Sequence, residues 1–110
     1  IFLKKEDEFI LKVRNILESN LGDDEFGINR LCDEMAVSRA QLYRKFKSLS
    51  NRTIGSYLKS LRLNKARELL LSTDMNVSEV TYIVGFKNLS HFSREFSHEF
   101  GIPPSEIRNQ

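Results

Sequence analysis

A chain of 110 residues, 40% hydrophobic and 29% charged, makes one domain or two very small ones, and two units of ~50 residues bury so few apolar side chains that they would share a support. No run of ~18 apolar residues offers a membrane span, a single cysteine rules out an internal disulfide framework, and there is neither a glycine-rich phosphate loop nor a nucleophile elbow. The net charge of +2 conceals its distribution: residues 1–34 carry nine acids and five bases, 35–67 nine bases and no acid, and 68–110 six acids and three bases, and a purely cationic block favours a polyanionic partner.

The chain opens on Ile1 rather than Met, and Lys4 and Lys5 interrupt any signal peptide. It reads as a piece of a longer cytoplasmic protein, with residues 1–5 a linker from the upstream part. Almost everything after that has helical periodicity, and the two prolines are adjacent at Pro103 and Pro104. The expected fold class is all-α: about seven helices, as two helix-turn-helix subdomains (6–52 and 73–110) joined by a long connecting helix (53–72).

The first helix is predicted from about Glu6 to Leu21, with Phe9, Val13, Ile16 and Leu17 on one face and Gly22 as its stop. Asp23 to Gly27 is a loop. A short helix follows from about Ile28 to Met35; it holds Cys32, whose apolar surroundings point to packing in a reducing compartment. Ser38 is a candidate N-cap for a helix from about Arg39 to Leu49, and Asn51 a left-handed C-cap.

The long helix, about Thr53 to Ser72, would reach ~30 Å. Ile54, Leu58 and Leu61 share one side, while Leu63, Ala66 and Leu70 share another. Such a helix packs its first half on one subdomain and its second half on the other. A short helix from about Ser78 to Val84 follows, then a turn over Gly85 to Lys87. Asn88 caps a helix from about Leu89 to Phe100, Gly101 ends it, and Pro104 can begin a last short helix. His91 and His98, seven apart, do not make a zinc site, and no cofactor is expected.

The second half repeats the first. At an offset of 49, Ile28, Leu31, Met35 and Val37 match Val77, Val80, Val84 and Phe86; at an offset of 50, Ser38, Leu42, Phe46 and Asn51 match Asn88, Phe92, Phe96 and Gly101. Each copy is a short helix, a tight turn and a longer helix. With Leu42 inward, Phe46 and Leu49 follow it, and Ala40, Tyr43, Arg44 and Lys47 point away. With Phe92 and Phe96 inward, Ser90, Arg94 and Ser97 point away, with His91 to one side. A helix fits the major groove of B-form DNA, where an arginine can pair with guanine O6 and N7. Two such helices on one face of a duplex sit ~34 Å apart, close to the length of the connecting helix. The nine cations of the middle block (Arg39, Arg44, Lys45, Lys47, Arg52, Lys59, Arg62, Lys65 and Arg67) would then close on phosphates. The competing readings are a helical protein-interaction module and a non-specific nucleic-acid binder using the basic block. An enzyme is not expected, because no nucleophile, base and metal set converges.

Residues 85–104, "GFKNLSHFSREFSHEFGIPP", resemble the signature of the AraC/XylS-type transcription regulators, and "AVSRAQLYRKFK" with "LRLNKARELL" resembles that family's first helix-turn-helix and connecting helix. The first half, with the acidic helix before it, is also similar to the output domains of hybrid two-component sensor-regulators. The resemblance implies sequence-specific binding of double-stranded DNA by a bacterial regulator, two helices (about 39–49 and 89–100) entering successive major-groove turns. It implies base-reading by Ala40, Tyr43 and Arg44 in the first copy and Leu89, Ser90, His91 and Arg94 in the second. Arg39, Gln41, Lys47 and Ser93, with the helix N-termini, become phosphate contacts. RNA polymerase is an expected protein partner, and the domain an expected monomer within a dimeric parent. Ser97 stands where the family usually has lysine, Ile107 where an aromatic is common, and Leu89 and His91 replace a more usual glutamine and tyrosine.

Overall fold

The structure is a computed structural model and describes residues 5–109. Its elements are α1 (Lys5–Ser19), α2 (Ile28–Met35), α3 (Arg39–Ser50), α4 (Ile54–Ser72), α5 (Val77–Ile83), α6 (Leu89–Phe100) and a terminal 3-10 helix (Pro104–Asn109). No strand occurs among the described residues. Of the expected linker over residues 1–5, residues 1–4 lie outside the described residues, and Lys5 already belongs to α1. The chain divides into two units, one comprising the residues up to Asn20 with Glu25–Leu58, the other Leu21–Asp24 with Lys59 onward.

In the first unit, α1 buries Phe9, Val13 and Leu17, three residues at a spacing of four. Leu31, Cys32 and Met35 of α2, Leu42 and Phe46 of α3, Phe26 of the loop and Ile54 at the start of α4 complete its buried apolar set. Phe46 meets the Tyr57 ring at 5.2 Å, and the Lys45 ammonium sits over the Phe9 ring at 4.5 Å. Ile16 is only half-buried.

The stop of α1 differs from the sequence expectation. The helix ends at Ser19, before Gly22, because Asn20 turns its own groups back: its backbone N–H donates to Leu17 O (3.1 Å) and its side-chain amide to Ile16 O (2.7 Å). Gly22 does not adopt a positive φ. It is small for another reason, since a Cβ there would stand 3.0 Å from the Ile83 carbonyl oxygen.

In the second unit the core is Leu63, Ala66 and Leu70 of α4, Val80 and Val84, Phe86, Phe92 and Phe96, and Ile107 of the terminal helix. Phenylalanine rings form a chain through it: Phe86 to Phe92 at 5.2 Å, Phe92 to Phe96 at 5.6 Å and Phe96 to Phe100 at 4.6 Å, all inclined by 50° or more, the geometry ring quadrupoles favour. Asn76 starts α5 with a capping box: it accepts from the Glu79 amide at 2.8 Å, and the Glu79 carboxylate accepts from the Asn76 N–H. Arg108 ties down the end of α4, donating to the Leu70 carbonyl at 2.6 Å and the Thr73 carbonyl at 2.9 Å, and to that of Met75. The Leu70 carbonyl is one that the C-terminus of α4 leaves open, and the other two belong to the segment that follows it.

Gly85 has φ +97°, and a Cβ on it would lie 2.1 Å from the Leu21 carbonyl oxygen and 2.9 Å from Arg62 Nε. Gly85→Ala is expected to lower unfolding stability by at least about 2 kcal/mol, from backbone strain and the collision together. Gly55, in the first turn of α4, has open space where a Cβ would stand, with nothing within 4 Å, so Gly55→Ala should be neutral or stabilising by up to about 1 kcal/mol. Urea titrations of the two variants measure the contrast; equal losses would contradict it.

Candidate nucleic-acid interface

The repeat seen in the sequence extends to the hydrogen bonds. At an offset of 49, Ala36 N–H to Asp33 O and Val37 N–H to Cys32 O become Gly85 N–H to Tyr82 O and Phe86 N–H to Thr81 O. At an offset of 50, Leu42 N–H to Ser38 O and Asn51 N–H to Lys47 O become Phe92 N–H to Asn88 O and Gly101 N–H to Ser97 O. Ala36 and Gly85 both have positive φ, as do the C-caps Asn51 and Gly101. The extra residue of the second turn lies between these two registers.

Ser38 caps α3 by accepting the Gln41 N–H at 3.1 Å, and Asn88 caps α6 by accepting the His91 N–H at 2.7 Å. In α3 the box is closed: the Gln41 side-chain oxygen accepts the Ser38 N–H at 2.9 Å. The expected phosphate role of Gln41 therefore falls to its remaining amide hydrogens. By contrast, α2 has Gly27 at its N-cap position and no side-chain cap hydrogen bond.

Each longer helix buries its apolar pair completely: Leu42 and Phe46 in α3, Phe92 and Phe96 in α6. The residues expected to read bases are on the open faces. Ala40, Tyr43 and Arg44 are exposed, as are Leu89, Ser90, His91 and Arg94. Tyr43 and Leu89 are exposed large apolar side chains, 40% and 39% open. Arg39 and Lys47 are exposed too, while Ser93 is half-buried. On α3 these groups are pre-arranged. Arg39 donates to the Tyr43 hydroxyl at 3.2 Å and lies over its ring, and Arg44 Nε donates to Ala40 O at 3.3 Å. Val37, Gln41, Arg44, Lys45 and Ser48 line an open groove alongside; no pattern in the sequence singles out Ser48.

The cationic block is less available than its composition suggests. Arg52 donates to the Ser56 carbonyl and hydroxyl at 3.1 and 2.9 Å. Lys59 pairs with Glu95 at 3.0 Å, Lys65 with Glu68 at 3.4 Å, and Arg67 lies over the Phe100 ring. Arg62 is half-buried, donates to Asp23 O at 3.4 Å, and burial lowers its pKa. On α3 Arg39, Arg44, Lys45 and Lys47 are exposed, as Lys59, Lys65 and Arg67 are, and Lys47 too has a local contact, donating to Asn51 O at 3.5 Å.

Position by position, Lys45 of the first copy becomes Glu95 of the second. Each meets its own support: Lys45 the Phe9 ring, Glu95 the Lys59 ammonium. Glu95 also lies 3.7 Å from His91 Nε2. The hydrogen bond from Lys59 holds the Glu95 carboxyl below its ordinary pKa, with a further contribution from its charge. Among the described residues no group of three His, Cys, Asp or Glu side chains could hold a metal ion, and no helix is long and apolar enough to cross a membrane.

Residues 31–110 match the family described as "Helix-turn-helix domain". The chain is 31% identical over 105 residues to Histidine kinase P4 of Formosa agariphila, covering 96% of this chain and 8% of that one. It superposes with a TM-score of 0.88 on the crystal structure of a transcriptional regulator with an AraC-type DNA-binding domain from Chromobacterium violaceum, at 30% identity, covering 94% of this chain and 92% of that one. The DNA-binding domain of AdpA, solved in complex with a target DNA, superposes at 0.83 with 25% identity, covering 90% and 88%. The chain spans 31% or less of the curated relatives compared, down to 8% of the kinase.

Glu95 titrates lower in the folded chain than in the unfolded one, so its contribution to stability is present at neutral pH and is lost as pH falls through its folded pKa. Glu95→Gln should be less stable than wild type at pH 7, and the gap should close on acidification below about pH 4. Unfolding midpoints across that range measure it; a gap that widened with acid would contradict the pairing.

Proposed function

The chain belongs to the AraC-type helix-turn-helix family, and on that footing we propose that it is the sequence-specific DNA-binding output domain of a bacterial transcription regulator. The observation that carries the reading is the doubled frame: two helix-turn-helix units, each burying an apolar pair completely and turning an arginine outward from the same register. Arg44 and Arg94 serve as the principal base readers, able to donate a pair of hydrogen bonds to guanine O6 and N7 in the major groove. Ala40 and Tyr43 read beside Arg44, and Leu89, Ser90 and His91 beside Arg94. Arg39, Lys47, Gln41 and Ser93 hold phosphates.

The two readers are unequal in this proposal. α3 carries Arg39, Arg44, Lys45 and Lys47, whereas α6 carries Arg94 with Glu95 and Glu99. Affinity then comes chiefly from the first copy, and the second discriminates. The parent protein is proposed to be a hybrid two-component sensor-regulator, dimeric and cytoplasmic, whose output is read by RNA polymerase. The 31% identity to a histidine kinase across 96% of this chain supports the sensor-regulator parent.

Selection from random duplexes should yield two half-sites about one helical turn, ~34 Å, apart; a single short site would leave only the first copy reading. Arg44→Ala should cost about 1–3 kcal/mol on the selected site, with a smaller loss for Arg94→Ala. Equal losses would sink the asymmetry. Lys47→Ala should weaken all sequences alike and reduce the salt slope by about one; an effect confined to one base pair would remove it from the phosphate contacts. A preference for the selected site over unrelated duplex well short of about 10³-fold would mean non-specific binding instead.

A further inference from the structure

His91 occupies the position that Gln41 holds in the first copy, but the two side chains are used differently. Gln41 turns back to close the capping box. At α6 the Asn88 side chain takes the His91 backbone N–H alone, and the imidazole is held elsewhere. Its ring meets the Phe86 edge at 5.5 Å and 71°, and Phe86 is itself buried against Phe92. Its Nε2 faces Glu95 at 3.7 Å. Glu95 is in turn anchored from α4 by Lys59 at 3.0 Å. The ring thus packs on Phe86, with Nε2 facing the Glu95 carboxylate from beyond hydrogen-bond length, while 48% of the side chain stays exposed.

We propose that Glu95 is a positioning residue that sets which bases the second reader prefers: its carboxylate holds the His91 N–H on Nε2, leaving Nδ1 as a hydrogen-bond acceptor for a base bearing an amino group. This rests on the DNA-reading function proposed above. Which ring nitrogen carries the proton is decided by what faces the other, and a carboxylate draws the N–H towards itself. Glu95, like any carboxylate of ordinary pKa, is ionised at neutral pH, and the hydrogen bond from Lys59 only lowers its pKa further. An Nδ1 lone pair can accept from the N6 amino group of adenine or the N4 amino group of cytosine; guanine and thymine offer acceptors on that edge and no donor. The first copy supplies the contrasting case, since a lysine stands at the equivalent position 45. An ammonium beside Nε2 would favour a lone pair there and move the N–H to Nδ1.

Two measurements on the 110-residue chain test the proposal. Long-range proton–nitrogen NMR of the free chain at neutral pH reads the tautomer: His91 should carry its proton on Nε2, and Glu95→Lys should raise the Nδ1–H population. In-vitro selection reads the base: adenine or cytosine enriched about fivefold at one position of the second half-site, and a shift there towards guanine or thymine in Glu95→Lys. Lys59→Met removes the anchor but keeps the carboxylate, so base preference should stay while stability falls. Should Glu95→Lys fail to fold, Glu95→Gln takes its place, with the preference relaxing across the four bases. A wild-type ring protonated on Nδ1, or an unchanged preference in a folded Glu95 variant, overturns the proposal. Failure to select any sequence overturns the DNA-reading function instead, and the NMR result still decides the tautomer.

Discussion

Each of the two longer helix-turn-helix helices is set in rotation by one pair of apolar side chains four residues apart, Leu42 with Phe46 and Phe92 with Phe96, all without solvent exposure. Turning either helix about its axis would lift these groups into water at about 1.5–3 kcal/mol per side chain. At 100° per residue, everything else on the helix then has an assigned direction. The arginine two positions after the first apolar residue has no inward option. The caps fix where each helix begins, so the open face starts at the same register in both copies.

Charge is the second layer, and its effect depends on what each cation already touches. Five members of the acid-free block are turned to neighbours in their own unit: a serine, two glutamates, a backbone carbonyl and a phenylalanine ring. Exposed pairs such as Lys65 with Glu68 hold little energy and can be given up to a stronger anion. Arg62 is different, since its guanidinium is half-buried beneath the turn at Gly85. The cations of the block thus have local contacts along 35–67, and four of them, Arg39, Arg44, Lys45 and Lys47, are grouped on α3.

Much of this is readable from the residues. α2 and α6 begin and end where their periodicity and caps indicate, and Asn51 and Gly101 take the left-handed C-cap conformation expected of them. Of the face read as Ile54, Leu58 and Leu61 only Ile54 is buried, Leu58 and Leu61 being half-buried and Leu61 lying in the second unit, whereas Leu63, Ala66 and Leu70 are all buried; the division of the chain falls after Leu58. What escapes depends on partners distant in sequence or on competition within one turn. The early end of α1 follows from Asn20 bonding its own helix. The Asn76 capping box has the Asn-x-x-Glu spacing of such boxes, and a helix start placed at Ser78 passes over it. The pairing of Lys59 with Glu95 spans 36 positions, and no local pattern announces it. Among the proposed contacts, exposure of Arg44 and Arg94 follows from periodicity alone, and the involvement of Gln41 in the cap follows from its spacing, three residues after the N-cap Ser38.

The duplicated turn shows how unequal two copies can become. Ala36 and Gly85 adopt the same left-handed corner, donating to the same carbonyl three residues back. At Ala36 a methyl group is accommodated; at Gly85 the carbonyl of Leu21 and the guanidinium of Arg62 occupy the space one would need. Under random mutation the first corner can wander through alanine, asparagine or glycine at modest energetic cost. The second is frozen. A glycine-based pattern search would therefore find only half of the duplication.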